Sequence, residues 1–219
     1  MSKADVCYEY IVEKIITGEF PPLSTLSETE LQEKLHTSRT PVREAILRLS
    51  ELGFVYIYSQ KATLVSELSV DLINELYAVR LINEPYIYKM VANVIDPNLL
   101  LSIKKMFLAP TDHLSDEEKI TYYAKLDNQL HESLLDCFNN RFILNIMRKV
   151  YIHNRRLRQL SPEHSSIAEH VAIIDAILSK DASAIEKATI EHIENSKKLS
   201  LSAREHGFFN KRDNLKCQI

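Results

Sequence analysis

The chain has 219 residues, 45% of them hydrophobic, and a formal net charge of −3. That length supports a small domain and a larger one, each with its own core, and the slightly acidic balance excludes a protein held on polyanions by bulk positive charge. Contact with nucleic acid must therefore come from local cations. Cys7, Cys137 and Cys217 have no C-x-x-C spacing, which argues against a disulfide framework and fits a reducing, cytoplasmic setting. No apolar run approaches the roughly 18 residues of a membrane span, so no membrane partner is expected. The N-terminus, charged from Lys3 and Asp5 onward, lacks the apolar core of a signal peptide.

In chain order, Tyr8, Ile11, Val12, Ile15 and Ile16 recur at helical spacing and are stopped by Gly18 and Pro21-Pro22. Ser27-Glu28-Thr29-Glu30 reads as a capping box, with Ser27 at the cap, Glu30 reaching back to it, and Leu31 and Leu35 following. The most informative stretch is residues 38–54. Ser38 or Thr40 can cap a helix there, and Pro41 fits its first turn, where a missing N–H costs no hydrogen bond. Arg39 and Arg43, four apart, share a face near the N-terminus, the end that a recognition helix pushes into the major groove. Ala45, Ile46, Leu49 and Leu52 form the core-facing stripe, and Gly53 is the stop. An arginine pair alone is more often an ordinary surface feature, so the neighbours decide. Phe54-Val55-Tyr56-Ile57-Tyr58 and Ala62-Thr63-Leu64-Val65 read as two strands joined by Ser59-Gln60-Lys61, a turn whose Lys61 is placed to meet phosphate. Three helices followed by a β-hairpin describe a winged helix-turn-helix.

From about Asp71 to Ser202 the pattern is helical, with no glycine between Gly53 and Gly207. The first helix carries Leu72, Ile73, Leu76, Val79, Arg80, Ile82 and Asn83, and Glu84-Pro85 is expected to kink or interrupt it. Asp96-Pro97 starts a second, ended by Ala109-Pro110-Thr111. Further helices are expected over about 115–138, 142–160, 165–178 and 182–203, the fourth ending at Ser161-Pro162. The fold class is thus mainly α: an N-terminal winged helix-turn-helix over residues 1–66, a C-terminal all-α helical bundle over 70–206, and a polar tail from 207 to 219.

Three of these helices carry ligand-type side chains on their apolar stripes. Asp127 and His131, spaced i,i+4, point the same way beside Leu130, Leu134 and Phe138. His170 lies in line with Ile167, Val171, Ile174 and Leu178, and His192 shares a stripe with Ile185 and Leu199. One inward histidine is usually a hydrogen-bonded core residue, but four ligand-type groups facing one interior suit a divalent cation. His36, His113, His153, His164 and His206 lack such partners and are assigned to surface, loop or cap positions.

Residues from about 8 to 66 resemble the DNA-binding domain of GntR-family bacterial transcription regulators, on the strength of Ser38-Arg39-Thr40-Pro41-Val42-Arg43-Glu44-Ala45. The resemblance implies that Ser38, Arg39, Thr40 and Arg43 lie on operator DNA, the arginines reading base edges or clamping phosphate. Thr29 stands where many relatives carry an arginine, and Ala62 where they carry a wing-tip glycine, so operator sequence or affinity is expected to depart from the common pattern. Residues from about 70 to 203 resemble the C-terminal, FCD-type ligand-binding domain of the FadR branch. Asp127-x-x-x-His131, the nearby Asn140, His170 and His192 carry that likeness. In metal-binding members one Asp and three His hold a divalent cation beneath a small-molecule pocket. Such ligands suit zinc first, with nickel, manganese and iron as alternatives. Arg80 matches an arginine near the pocket and has two uses, pairing with an effector carboxylate or with Glu84 at i,i+4.

The resemblance further implies a homodimer on a near-palindromic operator, repression relieved by a small organic acid, and a hinge at Ser66-Glu67-Leu68-Ser69. A metal-dependent enzyme with an ancillary DNA-binding domain is the reading from another class. The sequence offers no H-E-x-x-H or comparable motif for it, so no enzyme activity is expected.

Overall fold

The structure is a computed structural model that describes residues 1–58, 61–160 and 167–207. They fall into two compact units, Met1–Ser69 together with the residues from Ala203 onward, and Val70–Ser202. The first unit contains α1 (Lys3–Ile16), α2 (Glu28–Lys34), α3 (Arg39–Glu51), β1 (Val55–Tyr58) and β2 (Ala62–Val65). Ser2 and Asp5 form a capping box at the start of α1, and Thr17 and Gly18, with φ 80°, end it. Asp5 also accepts from Arg48 Nη1 at 2.9 Å, tying α1 to α3. The backbone N–H of Ser2 and the Arg48 guanidinium lower its carboxyl to about 2. Between these helices Ile11, Ile15, Val42, Ala45 and Leu49 are fully buried.

At the start of α2 the Ser27 side chain accepts from Glu30 N at 3.2 Å. Ser38 occupies the cap of α3 without making a side-chain cap bond, and Leu52 is half-buried at its end. The two strands pair antiparallel, Val55 opposite Val65 and Tyr58 opposite Ala62, and Thr25 bridges to Leu64. The architecture is the expected winged helix-turn-helix. Ser59 and Gln60 of the wing turn lie outside the described residues.

The second unit holds α4 (Val70–Val91), α5 (Pro97–Phe107), α6 (Asp116–Asp136), α7 (Arg141–Leu160) and α8 (Ile167–Ser179), with α9 (Ala182–Glu205) completing it as far as Ser202. Asp96 caps α5 with Pro97 in the first turn, and Ser115 with Glu118 boxes the start of α6. Asn140, which the resemblance set beside the ligands, is a cap instead: its Oδ1 accepts from Phe142 N and Ile143 N at 3.1 and 3.2 Å. The expected end of α7 at Ser161-Pro162 and the Ser165 start of α8 fall outside the described residues, as does His164.

Two expectations need correction. Of the two outcomes expected at Pro85, a kink or an interruption, the interruption does not occur: α4 runs on through it, where Ile87, Tyr88 and Val91 are fully buried and hold the chain in helical register. One lost backbone bond costs about 3 kcal/mol, which burial of three large side chains at about 1.5–3 kcal/mol each offsets. His153 is buried within α7, not at the surface. The bundle core gathers Tyr88, Leu100, Ile103 and Phe107 with Leu130, Leu134, Met147, Ile173 and Ile177. Among the described residues, no helix is long and apolar enough to cross a membrane.

Candidate nucleic-acid interface and candidate metal centre

Two groups of side chains stand out, one in each unit. In the first unit, the start of α3 carries Ser38, Arg39, Thr40 and Arg43, all exposed, as is Lys61 beside the wing turn. Val42, Ala45 and Ile46 on the other face bury the helix against the unit's core. One acidic group answers the two arginines. Arg39 Nε donates to Glu28 Oε2 at 2.8 Å, and Arg43 Nε donates to Glu28 Oε1 at 3.3 Å.

In the second unit, α6 contributes Asp127 and His131, α8 contributes His170 and α9 contributes His192, all four buried. Ligand nitrogens of His131, His170 and His192 lie within 4.8 Å of one another. Asp127 reaches two of the three: its Oδ1 is 3.3 Å from His131 Nε2 and its Oδ2 is 3.3 Å from His170 Nε2. His131 Nε2 is buried without a well-formed hydrogen bond to any described residue. An orphaned, inward-facing imidazole nitrogen is what a metal ligand looks like before it is bound.

The surroundings orient these rings. Tyr88 donates to Glu84 Oε2 at 3.3 Å and meets His131 Nδ1 at 2.5 Å. The Tyr151 hydroxyl lies 3.2 Å from the same nitrogen, so two hydroxyls engage Nδ1 while Nε2 faces Asp127. Glu169 Oε2 lies 3.2 Å from His192 Nδ1, while its Oε1 accepts from Asn195. Burial above all, with Arg80 adding to it and Asp127 opposing it, pushes His131 and His192 well below the ordinary histidine value of 6.5 and so favours the neutral ring. Burial alone would raise Asp127, but Arg158, His131 and His170 outweigh it and hold the carboxyl well below its ordinary value.

Arg158 is the residue that the sequence reading missed. It donates to Asp127 Oδ1 at 2.7 Å and also to Asn128, and it is nearly buried. Its spacing along α7 after Met147, Tyr151 and Asn154 was the available signal, since all four lie on the buried face. Arg80 is fully buried and bonded to Glu84, Nε to Oε1 at 2.5 Å, and to Asn154 Oδ1 at 3.3 Å, the i,i+4 use of the two its sequence position allowed. A cavity of about 10 Å³, room for one water-sized body, lies against Asp127, His170, Arg158, Phe107 and Tyr123. A larger open groove of about 610 Å³ between α8 and α9 touches the cluster only through Glu169.

Known families match the two parts of the chain. The sequence profile of bacterial regulatory proteins of the gntR family matches residues 3–65, and that of the FCD domain matches residues 75–195. The chain belongs to the GntR family and carries an FCD domain. Like its relatives, it is a transcription regulator and not an enzyme. The HTH-type transcriptional regulator YdhC of Bacillus subtilis is 24% identical over 190 residues, 84% of this chain and 85% of its own length. The HTH-type transcriptional repressor RspR of Escherichia coli is 23% identical over 192 residues, 85% of this chain and 84% of its own. A GntR transcriptional regulator from Rhodococcus sp. RHA1, at 22% identity, shares the fold with a TM-score of 0.72 over 93% of this chain and 99% of that one.

The depressed histidines give this GntR regulator a pH dependence whose sign is fixed. Groups that stay neutral in the folded chain but protonate near 6.5 when unfolded make the unfolded state bind more protons at lower pH, so stability is lost as pH falls through that value. Melting temperature followed from pH 8 down to about pH 5 should fall, and His192→Gln should flatten the fall. A wild-type curve with no slope below neutrality would contradict the assignment of neutral, buried rings.

Proposed function

We propose that the chain is a metal-dependent, effector-controlled repressor: residues 1–66 bind operator DNA and residues 70–206 bind effector and metal and pair into a homodimer. The observation that carries the DNA reading is the start of α3, where Ser38, Arg39, Thr40 and Arg43 are exposed while the opposite face is buried. Arg39 and Arg43 read base edges, and Ser38, Thr40 and Lys61 contact phosphate. The protein works where the chromosome is, in the cytoplasm.

In the second unit Asp127, His131, His170 and His192 hold one divalent cation, with zinc first and nickel, manganese or iron as alternatives. The neutral imidazoles and the orphaned Nε2 of His131 support that reading. When bound, the cation supplies positive charge that attracts an anionic effector. Arg158 is the side chain such an acid would meet first, since it stands on Asp127 at the small cavity, and Arg80 adds a second positive charge to the field there. An organic acid seated there would move the lining side chains, since the cavity among the described residues has a volume of about 10 Å³. An effector that moves the protein must prefer one of its arrangements, and displacement of this kind provides the difference.

A second copy is the partner that the outer faces of α4 and α7 fit. Ile82, Tyr86 and Met90 recur every fourth residue along α4, and Phe142 and Ile146 do so on α7, which packs beside it. Ile82 and Phe142 are 75% and 68% exposed, and the Tyr86 ring packs edge-on to Phe138, four residues before Phe142. At on the order of 100 Å² each, these side chains supply most of the ~800 Å² that one partner contributes to a stable interface.

Three measurements check these readings. Arg39→Ala and Arg43→Ala should each weaken operator binding by about 1–3 kcal/mol without unfolding the chain. Wild-type affinity in either would remove the recognition-helix assignment. Untagged protein should contain one divalent cation per chain, and zinc, nickel or manganese should raise the melting temperature of stripped protein but not of His170→Ala. Metal-free protein that gains no stability on titration would sink the metal centre. The wild-type chain should sediment as a dimer, and Ile82→Glu with Phe142→Glu as a folded monomer; a dimer surviving both changes places the interface elsewhere.

A further inference from the structure

We propose that Glu28 is a specificity-determining residue of the DNA-reading surface: it fixes the Arg39 and Arg43 side chains in the arrangement that reads bases and withdraws half of their charge from phosphate. The inference rests on the reading of α3 as the recognition helix. Glu28 opens α2, next to the Ser27 cap, where a carboxylate is favoured by the helix N-terminus. Its side chain is 25% exposed, against 65% and 59% for the two arginines, so it is the anchored member of the trio. Each carboxylate oxygen takes one arginine, Oε2 from Arg39 and Oε1 from Arg43.

The chemistry lies in which nitrogens are used. Both arginines meet Glu28 through Nε, and among the described residues the terminal nitrogens of neither carry a hydrogen bond. That outer edge, with two parallel N–H groups, is the edge that matches guanine O6 and N7. Glu28 therefore binds each guanidinium on the side that base reading does not need, and it removes rotamer freedom before DNA arrives. Its charge acts on the other term. Two arginines alone present two positive charges to phosphate, whereas the trio presents one, so sequence-independent binding driven by counterion release is reduced by about one ion. A contact that keeps base reading while weakening phosphate attraction raises the ratio of specific to non-specific binding, the quantity on which a regulator depends.

The test compares full-length wild type, Glu28→Gln and Glu28→Asp on two duplexes of equal length over a salt series. One duplex is recovered by repeated selection from a random-sequence pool with the wild-type protein, and the other is its scrambled counterpart. Glu28→Gln should tighten binding to the scrambled duplex several-fold, steepen its salt dependence by about one unit, and lower the selected-to-scrambled ratio roughly tenfold. Glu28→Asp keeps the charge but is too short to hold both arginines. It should leave scrambled binding near wild type and lower affinity for the selected duplex by a similar factor. If the ratio stays at its wild-type value in both variants, or Glu28→Gln tightens both duplexes equally, Glu28 is a simple repulsive charge and the proposal is overturned. Arg39→Ala and Arg43→Ala in the same assay separate the two failures. Should they bind like wild type, the recognition-helix reading falls with the proposal; should they lose binding while the Glu28 variants do not change the ratio, the proposal alone falls.

Discussion

The bundle is organised around one requirement, that the buried carboxylate of Asp127 be compensated. A lone ionised carboxylate in an apolar interior costs several kcal/mol even after relaxation, so its neighbours must supply positive charge or donors. Arg158 does so directly at 2.7 Å, and His131 and His170 stand at 3.3 Å with their ring nitrogens turned toward it. Arg80 and Glu84 repeat the arrangement one layer away, both essentially fully buried and joined to His131 through Tyr88. Removing one member of such a pair typically costs about 3–5 kcal/mol, because the other charge is left stranded. The polar interior thus constrains which helices meet and in which register.

The winged unit solves the opposite problem. Its core is apolar and closed, and its charges lie outside, where each pair contributes only about 0–1 kcal/mol to stability. Such charges are free to be spent on recognition. The difference in environment separates the two groups: the charges buried in the bundle constrain how its helices pack, and those on α3 face solvent. The net charge of −3 for the whole chain conceals this division.

How much of this could be read from the sequence depended on how local each signal is. The helices α1, α2 and α3 and the hairpin are written in caps, glycine stops and periodicity, all of which act within a few residues. The spacing of Asp127 and His131, and the stripes of His170 and His192, likewise made the inward cluster visible. At Pro85 the local cost of a proline is legible, whereas the burial of Ile87, Tyr88 and Val91 that outweighs it depends on packing from other helices. His153 and Arg158 were missed for the same reason. Long basic or imidazole side chains are rarely buried without a partner, and the partner of Arg158 is 31 residues away on another helix.

Arg158 also bears on how a cation and a guanidinium can share one carboxylate. Asp127 has two oxygens: Oδ1 receives Arg158 and also lies 3.3 Å from His131 Nε2, while Oδ2 faces His170. A carboxylate held this way keeps its ionised state, since the Arg158 guanidinium, with His131 and His170, outweighs the cost of its burial. On His131 and His192 the partners Tyr88 and Glu169 both meet Nδ1. His131, His170 and His192 come from three different helices yet present ring nitrogens within 4.8 Å of one another, and apolar packing alone gives no reason for that convergence.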